Sequence, residues 1–321
     1  MTILGPHMAS EMQEASAVFT RVVMQDIAPL DKPSAIYTFA RGSSDTVANV
    51  LSYAFMERLN IPMTSLPPSV FSLGDGVAMG DALALVISQS GASDDLVACA
   101  KGAKRCVAIT NVKGSKVEAA SERTIAVGAG RELAVPATKT VVGSIGAGMA
   151  LLAAIDPNFK EDCTAAAAIF AKGIPALPDA DTISKTLTDA QHIYVLGRQF
   201  SFGVAHEVAL KFKETCALHA EAYSASEVLH GPLQLSTKPL TVLSLNAGDA
   251  ASQPSLKAAE DRFEAEGATI LRVRVTVDDL CGPASAAALL CQLYPVIHAT
   301  ANQLGFDPDS PKTLMKVTRT T

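Results

Sequence analysis

Short apolar runs alternate with helical patterns along the first half of the chain. The strand-like runs are AIYTFA, ALALVIS and CVAIT, and the segments between them, TVANVLSYAFMERL and DDLVACAKGAKR, have the spacing of helices. Strands that are apolar throughout and alternate with helices are typical of a parallel sheet that helices cover on both faces. The pattern therefore predicts an α/β fold built from βαβ units.

The same organisation begins again in the second half. The apolar segment VVGSIGAGMALLAAI closes the first block, and it is shorter than the roughly 20 residues of a membrane span, so we interpret it as a buried helix. The segment GIPALPDAD suits a linker, and the strand-like run HIYVLG follows it. We expect an N-terminal helical segment (1–30), a first domain (31–160), a helical linker (161–188), a second domain (189–305) and a C-terminal tail (306–321).

A shift of 157 positions aligns the second block with the first without a gap. Twelve identities then fall between residues 36 and 91, among them the pairs Arg41–Arg198, Phe55–Phe212 and Glu57–Glu214. Strand-like runs fall on strand-like runs in this register, which favours a real relationship over chance similarity. We infer that one α/β domain has been duplicated.

The two copies differ in the residues that follow their strands. The first copy has serines there, in RGSS (41–44) and SQSG (88–91), whereas the second has RQFS (198–201) and LNAG (245–248). The second copy also carries HAEAYSASEVLHGP, which we interpret as a segment gained between Glu214 and the next strand. We expect one copy to hold a ligand and the other to act on it.

Composition narrows the range of partners. The chain has 321 residues, of which 49% are hydrophobic, and this is enough for two domains with cores of their own. The net charge of -6 and the lack of a basic run argue against nucleic acid as a partner. Six cysteines at no metal spacing predict reduced thiols and no metal site, and we expect no cofactor. The lack of a signal-peptide pattern predicts a cytoplasmic location away from membranes.

The serines of the first copy allow two interpretations. Those expected at neighbouring strand ends are Ser43, Ser44, Ser88, Ser90 and Ser93. Each could cap a helix, but a cluster of neutral donors at the carboxyl edge of a parallel sheet fits a phosphate group. Asp94 and Asp95 argue against a phosphate unless their carboxylates point away. No glycine-rich nucleotide motif is present.

The helix GVAHEVALKFKETCAL has a charged face. Helical spacing places Glu207, Lys211 and Glu214 together, opposite Val204 and Phe212. By default such a face is a solvated strip with helical ion pairs. Glu214 is kept between the two copies, however, and a segment rich in histidine and acid follows it, which favours acid/base chemistry.

Two further candidates lie outside this helix. His230 precedes a Gly-Pro turn, so its ring can project from a rigid loop, although it could equally be an ordinary polar loop residue. The C-terminal DPDSPKTLMKVTRTT would by default be a fraying tail. Yet Leu314, Met315 and Val317 flank Lys316, and buried apolar surroundings would lower the pKa of its amine towards that of a usable nucleophile.

Several of these stretches together resemble a known family. They are SQSGASDD, VPATKT (135–140), ALKFKE (209–214), HAEAYSASEVLHGP (219–232) and the terminal lysine, Lys316. They are similar to the isomerase half of the glutamine-fructose-6-phosphate aminotransferases, which is a pair of sugar isomerase (SIS) domains. The likeness covers roughly residues 30 to 321. It implies two tandem SIS domains, each a flavodoxin-like three-layer α/β/α unit.

The resemblance also implies a role for each matching residue. Glu214 matches the base that moves a proton between C1 and C2, and Lys211 matches a lysine near the sugar hydroxyls. His230 matches a ring-opening residue contributed across a dimer interface, and Lys316 a lysine that can form a Schiff base with the open ketose. The implied phosphate-binding positions are Ser43, Ser44, Ser88, Gln89, Ser90 and Ser93, and the implied sugar-binding positions are Val135 and Ala137.

The chain departs from the aminotransferases in two respects. About 30 residues precede the first strand and none near the start is a cysteine, so we expect no glutaminase domain and no use of glutamine. Ala137 stands where the family has serine. The two-domain proteins that the chain resembles include glucosamine-6-phosphate deaminases, fructosamine-phosphate deglycases and ketose/aldose phosphate isomerases.

We therefore expect a homodimer, with active sites at the subunit interface, that converts glucosamine 6-phosphate and water to fructose 6-phosphate and ammonia. A deglycase or a plain isomerase is the alternative enzyme. A non-catalytic sugar-phosphate sensor is the alternative of another class, since it would keep the serines without needing the acid/base set. The small-residue helix around Gly143, Gly146 and Gly148 is expected to leave apolar surface for the subunit contact.

Overall fold

The computed structural model describes residues 3–316, which form two compact units. The first unit comprises Glu14–Glu132, Lys139–Gly173 and residues 315–316. The second comprises residues 3–13, Leu133–Thr138 and Ile174–Leu314. Each unit therefore gathers segments that are distant in the sequence around a sheet of its own.

A five-stranded parallel sheet forms the centre of the first unit. Its strands are β1 (Ile36–Phe39), β2 (Met63–Ser65), β3 (Leu83–Ser88), β4 (Cys106–Thr110) and β5 (Arg123–Ala126), in the order β2-β1-β3-β4-β5. Its helices are α2 (Ser43–Leu59), α3 (Ser69–Ser72), α4 (Asp94–Gly102), α5 (Lys116–Ala120), α6 (Lys139–Ile155) and α7 (Lys160–Phe170), and α1 (Pro6–Val23) contributes to both units.

The second unit is built on a four-stranded parallel sheet. Its strands are β6 (His192–Gly197), β7 (His219–Ser224), β8 (Thr241–Asn246) and β9 (Thr269–Arg274), in the order β7-β6-β8-β9. Its α-helices are α8 (Ala180–Thr188), α9 (Phe200–Cys216), α10 (Gln253–Ala265) and α11 (Gly282–Gln303), and two 3-10 helices cover Glu227–His230 and Pro232–Thr237. The predicted fold, two parallel sheets flanked by helices, is confirmed.

Strand order reverses at the equivalent place in both sheets. The chain leaves β1 for one neighbour, β2, and returns on the other side as β3, and β6, β7 and β8 repeat this path. Phe39 lies opposite Val86 in the first sheet. The loops that follow β1 and β3 therefore leave the sheet side by side, at the switch point where open α/β sheets bind their ligands.

The predicted duplication is visible in the elements themselves. Helices α2 and α9 are both 17 residues long, and the shift of 157 positions relates their first and last residues. The register holds as far as β3 and β8 and is lost after α10, which has 13 residues where α4 has 9. The copies thus share one architecture up to the fourth strand.

One interpretation of the second copy is wrong. HAEAYS (219–224) is not part of an inserted segment, because it forms β7, which pairs with β6 in the same way that β2 pairs with β1. The strand has six residues where β2 has three. A polar strand at a sheet edge lacks the apolar pattern of the other strands, and this is why sequence analysis missed it.

The glycine-rich helix α6 is buried within its own unit. A Cβ atom on Gly143 would collide with Val18 and Val127, and one on Gly148 would collide with Leu51. The prediction that this helix leaves apolar surface for a subunit contact is therefore wrong. Helix α11 is long and apolar enough to resemble a membrane span, but 83% of that stretch is buried inside the fold, as in the core helix of a globular domain.

Candidate active site

The serines after β1 and β3 lie at the switch point of the first sheet. The Oγ of Ser88 accepts a hydrogen bond from the Gly91 amide at 3.1 Å, and the Oγ of Ser90 accepts one from the Ala92 amide at 3.3 Å. These hydroxyls accept from the backbone, so their own hydrogens can point towards an anion. Ser93 occupies the N-cap position of α4, yet its side chain makes no capping hydrogen bond.

Backbone geometry shapes the same loops. The N-cap of α2 is Gly42, so Ser43 and Ser44 are the first residues of the helix rather than its caps. Gly91 has a φ of 60°, and a Cβ atom there would collide with Ser115. The carbonyl of Gln89 accepts the Asn111 amide at 3.2 Å, which fixes the loop against the next strand end. The capping interpretation therefore fails for Ser43, Ser44 and Ser93.

The two aspartates at the start of α4 are neutralised by cations. Asp95 is buried, and its Oδ2 accepts from Nη2 of Arg41 at 2.8 Å and from Nε at 3.0 Å. Asp94 pairs with Lys116 at 2.8 Å on the surface. The conflict between these carboxylates and a phosphate is thereby removed, because each negative charge has a positive partner within hydrogen-bond distance.

The charged face of α9 is the main candidate for chemistry in the second unit. Nζ of Lys211 lies 3.2 Å from Oε1 of Glu207 and 2.8 Å from Oε2 of Glu214. The Tyr294 hydroxyl donates to the same Glu207 oxygen at 3.2 Å. Glu207 and Lys211 are fully buried, whereas the Glu214 side chain is 25% exposed. The default interpretation of a solvated strip is therefore wrong.

The two glutamates of this cluster stabilise the positive charge of Lys211. Burial opposes the charge of Lys211, but Glu207 and Glu214 outweigh that effect and raise the pKa of Lys211 above its ordinary value. The lysine stays protonated across the neutral range and donates to both carboxylates. Glu214 is thus a carboxylate that a fixed ammonium group orients and that solvent, or a substrate, can reach.

The segment that carries His230 is fixed at both ends while the ring itself is exposed. Arg198 Nη1 donates to Ser226 Oγ at 2.7 Å just before the 3-10 helix that ends at His230. After it, the Tyr194 hydroxyl donates to the Pro232 carbonyl at 3.2 Å. Burial raises the pKa of Tyr194 to about 12, so this donor persists at neutral pH.

Lys316 lies in the first unit against a buried acid. Its Nζ is 3.3 Å from Oε2 of Glu132, whose side chain has no exposed surface. Two of the apolar residues expected to enclose it do not do so, because Leu314 is 40% exposed and Met315 is 76% exposed. Val317 lies outside the described residues. The prediction that Leu314 and Met315 are buried anchors is therefore wrong.

Pro308 and Asp309 anchor the preceding part of the tail instead. The Asp309 carboxylate accepts from the amides of His7 and Met8 at 2.7 Å each, at the start of α1. The Asp309 carbonyl accepts the Val135 amide at 3.2 Å. Pro308 is buried. This contact fixes the half-buried loop that contains both implied sugar-binding positions, Val135 and Ala137.

More than half of the chain matches one protein family, and this match determines the family to which the chain belongs. The SIS domain family matches residues 30–154 and 186–279. The chain belongs to the SIS domain family. The first SIS domain thus holds the serine loops, and the second holds the Glu207, Lys211 and Glu214 cluster.

Known proteins with two SIS domains are similar along most of the chain. The glutamine-fructose-6-phosphate aminotransferase of Methanothermobacter thermautotrophicus is 29% identical over 315 residues, which cover 92% of this chain and 52% of that protein. The chain spans about half the length of the curated relatives it matches. A protein from Silicibacter pomeroyi assigned to the phosphosugar isomerases is 35% identical, with a TM-score of 0.81 and coverage of 94% and 99%.

A second solved structure shows the fold at lower identity. Glucosamine-6-phosphate deaminase from Thermotoga maritima is 22% identical, has a TM-score of 0.74, and is matched over 98% of this chain and 100% of that one. At this identity the likeness establishes the SIS architecture. The chemistry of this chain has to be argued from its own residues.

Sequence analysis missed three features of the SIS domains. It did not assign Glu132, the pairing of Arg41 with Asp95, or the burial of Glu207. The spacing of Glu207 and Lys211 was a usable signal, although buried and exposed pairs have the same spacing. Within residues 3–316 no group of three or more potential metal ligands comes together, and none of the six cysteines in that range forms a disulfide.

Proposed function

We propose that the chain is an aminosugar-phosphate deaminase and aldose-ketose isomerase that converts glucosamine 6-phosphate and water to fructose 6-phosphate and ammonia. The observation that carries the proposal is the Glu214 carboxylate, which is 2.8 Å from the buried Lys211 ammonium and remains partly exposed. A carboxylate that is oriented in this way and open to substrate can take a proton from one sugar carbon and return it to the next.

Each step of the proposed reaction uses groups of this chain. The serine loops of the first SIS domain bind the 6-phosphate through neutral donors. His230 assists ring opening, and Glu214 then moves a proton from C2 to C1, which turns the amino aldose into a ketimine. The Lys316 amine adds to the ketimine carbon and displaces ammonia, which leaves a Schiff base between Lys316 and the open ketose. Water then hydrolyses this Schiff base, which releases the ketose phosphate and restores the free amine.

The proposal includes a homodimer in which the second copy contributes His230. The exposure of the His230 ring at the end of a fixed 3-10 helix supports this part, because an exposed ring can reach a neighbouring copy. Light scattering combined with activity measurements tests it. A stable monomer with full turnover would contradict the homodimer.

Ammonia release from glucosamine 6-phosphate is the test of the reaction. Turnover is compared with that on fructosamine 6-phosphate and N-acetylglucosamine 6-phosphate, and interconversion of fructose and glucose 6-phosphates is followed in parallel. The proposal expects ammonia mainly from glucosamine 6-phosphate. Ammonia-free interconversion would identify a plain isomerase, selective turnover of fructosamine 6-phosphate a deglycase, and binding without turnover a sensor.

A further inference from the structure

A fully buried carboxylate contacts the candidate Schiff-base lysine. Glu132 lies in the first unit, and its side chain has no exposed surface. An ionised carboxylate is strongly disfavoured in such a position unless hydrogen bonds and a positive charge compensate for lost water. The partners that fulfil this condition therefore show what the carboxylate is arranged to hold.

Thr140 and Lys316 are partners of the Glu132 carboxylate. Oε1 accepts the Thr140 amide at 3.2 Å, and Oε2 accepts the Thr140 hydroxyl at 2.6 Å. The same Oε2 lies 3.3 Å from Nζ of Lys316. Thr140 thus fixes both oxygens of the carboxylate at the start of α6, and the oxygen that contacts the lysine cannot turn away from it.

The contact with Glu132 is one that draws the Lys316 side chain into the domain. The two residues before it, Leu314 and Met315, are exposed, so they do not enclose the lysine stem. The Lys316 side chain is nevertheless only 24% exposed, and its amine lies 3.3 Å from the buried Glu132 carboxylate. A charge-assisted hydrogen bond to a buried, pre-oriented acid is among the stronger polar contacts in proteins.

We propose that Glu132 is a positioning residue that holds the Lys316 amine in the first SIS domain, where the substrate phosphate binds. The inference rests on the proposed function, in which the Lys316 amine attacks the ketimine carbon and forms a Schiff base with the ketose. Glu132 itself touches the lysine rather than the substrate. Its effect therefore appears in the rate of steps that need Lys316, and much less in the affinity for the sugar phosphate.

The first test replaces Glu132 with glutamine, which keeps the shape and can still accept the Thr140 amide. We expect Glu132→Gln to lower kcat by about 10- to 100-fold, the range for losing a hydrogen bond to a charged group, while KM changes by less than about threefold. The matched control is Glu14→Gln. That change removes the carboxylate that lies 2.8 Å from another lysine of the same unit, Lys139, and should leave kcat and KM unchanged.

The second test measures the accessibility of the Lys316 amine and does not depend on turnover. Brief acylation with acetic anhydride, quantified by mass spectrometry, reports how accessible each amine is in the folded protein. Lys316 should be modified at least about fivefold faster in Glu132→Gln than in wild type, because an amine without its charge-assisted bond is freer to meet the reagent. Its modification should not change in Glu14→Gln. Equal Lys316 modification in wild type and Glu132→Gln would overturn the inference.

A milder variant covers the case in which Glu132→Gln does not fold. Thr140→Val keeps the carboxylate and removes the hydroxyl that fixes Oε2, so kcat should fall by a smaller factor, about 3- to 10-fold, with faster Lys316 acylation. A failure of the proposed function would give a different result. Wild type would then show no turnover, but Lys316 would still be acylated faster in Glu132→Gln than in wild type. Turnover and acylation that are both unchanged in the folded variants would overturn the role of Glu132.

Discussion

The loops that follow β1 and β6 have the same backbone conformation although their sequences differ. Gly42 has φ and ψ of 50° and -129°, and Gln199, at the equivalent position, has 51° and -128°. The second copy holds a side chain in a region that favours glycine, which is unfavourable by about 1–2 kcal/mol. Duplication therefore preserved the backbone of the strand ends, and side chains alone distinguish the two domains there.

The equivalent arginines of these loops have different partners. Arg41 pairs with the buried Asp95 at 2.8 Å, whereas Arg198 donates to Ser224 and Ser226 at 3.1 and 2.7 Å. In the first domain a buried acid neutralises the arginine beside the serine loops. In the second domain the arginine fixes the start of the segment that leads to His230.

Helices α2 and α9 show the same contrast more strongly. At the positions of Glu207 and Lys211 in α9, the first copy has Val50 and Ala54, which are buried apolar residues. A buried ion pair is seldom more stabilising than apolar residues of similar volume. Stability therefore gives no reason for the charged pair of α9, and its lysine lies 2.8 Å from Glu214, the carboxylate to which we assign the proton transfer.

The largest expected effect tests the equivalent glutamates of the two helices. Glu214→Gln should lower kcat by about 10²- to 10⁴-fold, the usual contribution of general acid/base catalysis, because the amide cannot accept the substrate proton. Glu57→Gln, the matched change on α2, should leave kcat unchanged, since Glu57 is exposed in the first copy. Steady-state kinetics on one sugar phosphate checks both. Equal losses of kcat in Glu214→Gln and Glu57→Gln would contradict the difference that we infer between α9 and α2.

The buried ion pair should dominate the stability of α9. Lys211→Met leaves Glu207 buried without its counter-charge, and should lower the free energy of unfolding by about 3–5 kcal/mol. Lys257→Met, which breaks an exposed lysine-aspartate pair with the same spacing on α10, should cost less than about 1 kcal/mol. Urea unfolding measures both. A similar loss in the two variants would contradict the burial argument.

A double variant sharpens the same comparison. Glu207→Val with Lys211→Ala gives α9 the residues of α2, and should recover most of the stability that Lys211→Met loses. Turnover should be lost in both variants, because Lys211 no longer orients Glu214. The pKa of Lys211 is raised, so its contribution to stability is complete below its ordinary value of 10.5 and is lost only as pH rises through the higher folded value. The Lys211→Met loss should therefore be constant across the neutral range.

The arginines should differ in their effect on substrate affinity. Arg41→Met leaves the Asp95 charge uncompensated beside the serine loops, and should raise KM by about 10-fold, the equivalent of 1.4 kcal/mol of repulsion. Arg198→Met removes the equivalent side chain of the second copy and should leave KM within about twofold of wild type. A larger rise in KM for Arg198→Met than for Arg41→Met would indicate that the second domain, rather than the first, binds the phosphate.

The smallest effect concerns a property that the two domains share. Burial raises the pKa of Cys99 to about 12 and that of Cys216 to about 11, one thiol in each domain. Stability from these thiols is complete below the ordinary thiol pKa of about 8.5 and is lost as pH rises towards the folded values. Cys99→Ala and Cys216→Ala should each reduce the fall of the unfolding temperature between pH 8 and 10 by a similar amount.

Local pattern predicted most of the fold. The apolar strands, the presence of helices α2 and α9 and the duplication follow from periodicity and from the shift of 157 positions, because burial on both faces leaves a continuous apolar run. The polar edge strand β7 carries no such run. Burial of Glu207 and Lys211 could not be predicted either, since spacing on a helix does not tell which face another element covers.

The contacts of the candidate site were harder to predict than its members. Lys316 and Glu132 are 184 positions apart, and a lone glutamate in an apolar stretch gives no sign of its partner. The expectation that Leu314 and Met315 enclose the lysine used sequence neighbours in place of spatial ones. In the folded chain Glu132, from a distant loop, contacts the amine, and Leu314 and Met315 are exposed.

Calorimetric binding of fructose 6-phosphate tests most directly the claim that the first domain binds the phosphate and the second domain performs the chemistry. Glu214→Gln should bind within about threefold of wild type, although its turnover is lost. Replacement of both Ser88 and Ser90 with alanine should raise the Kd at least about 10-fold, since two hydroxyl donors to the phosphate are removed. Full affinity in the double serine variant, together with lost affinity in Glu214→Gln, would contradict the division between the two domains.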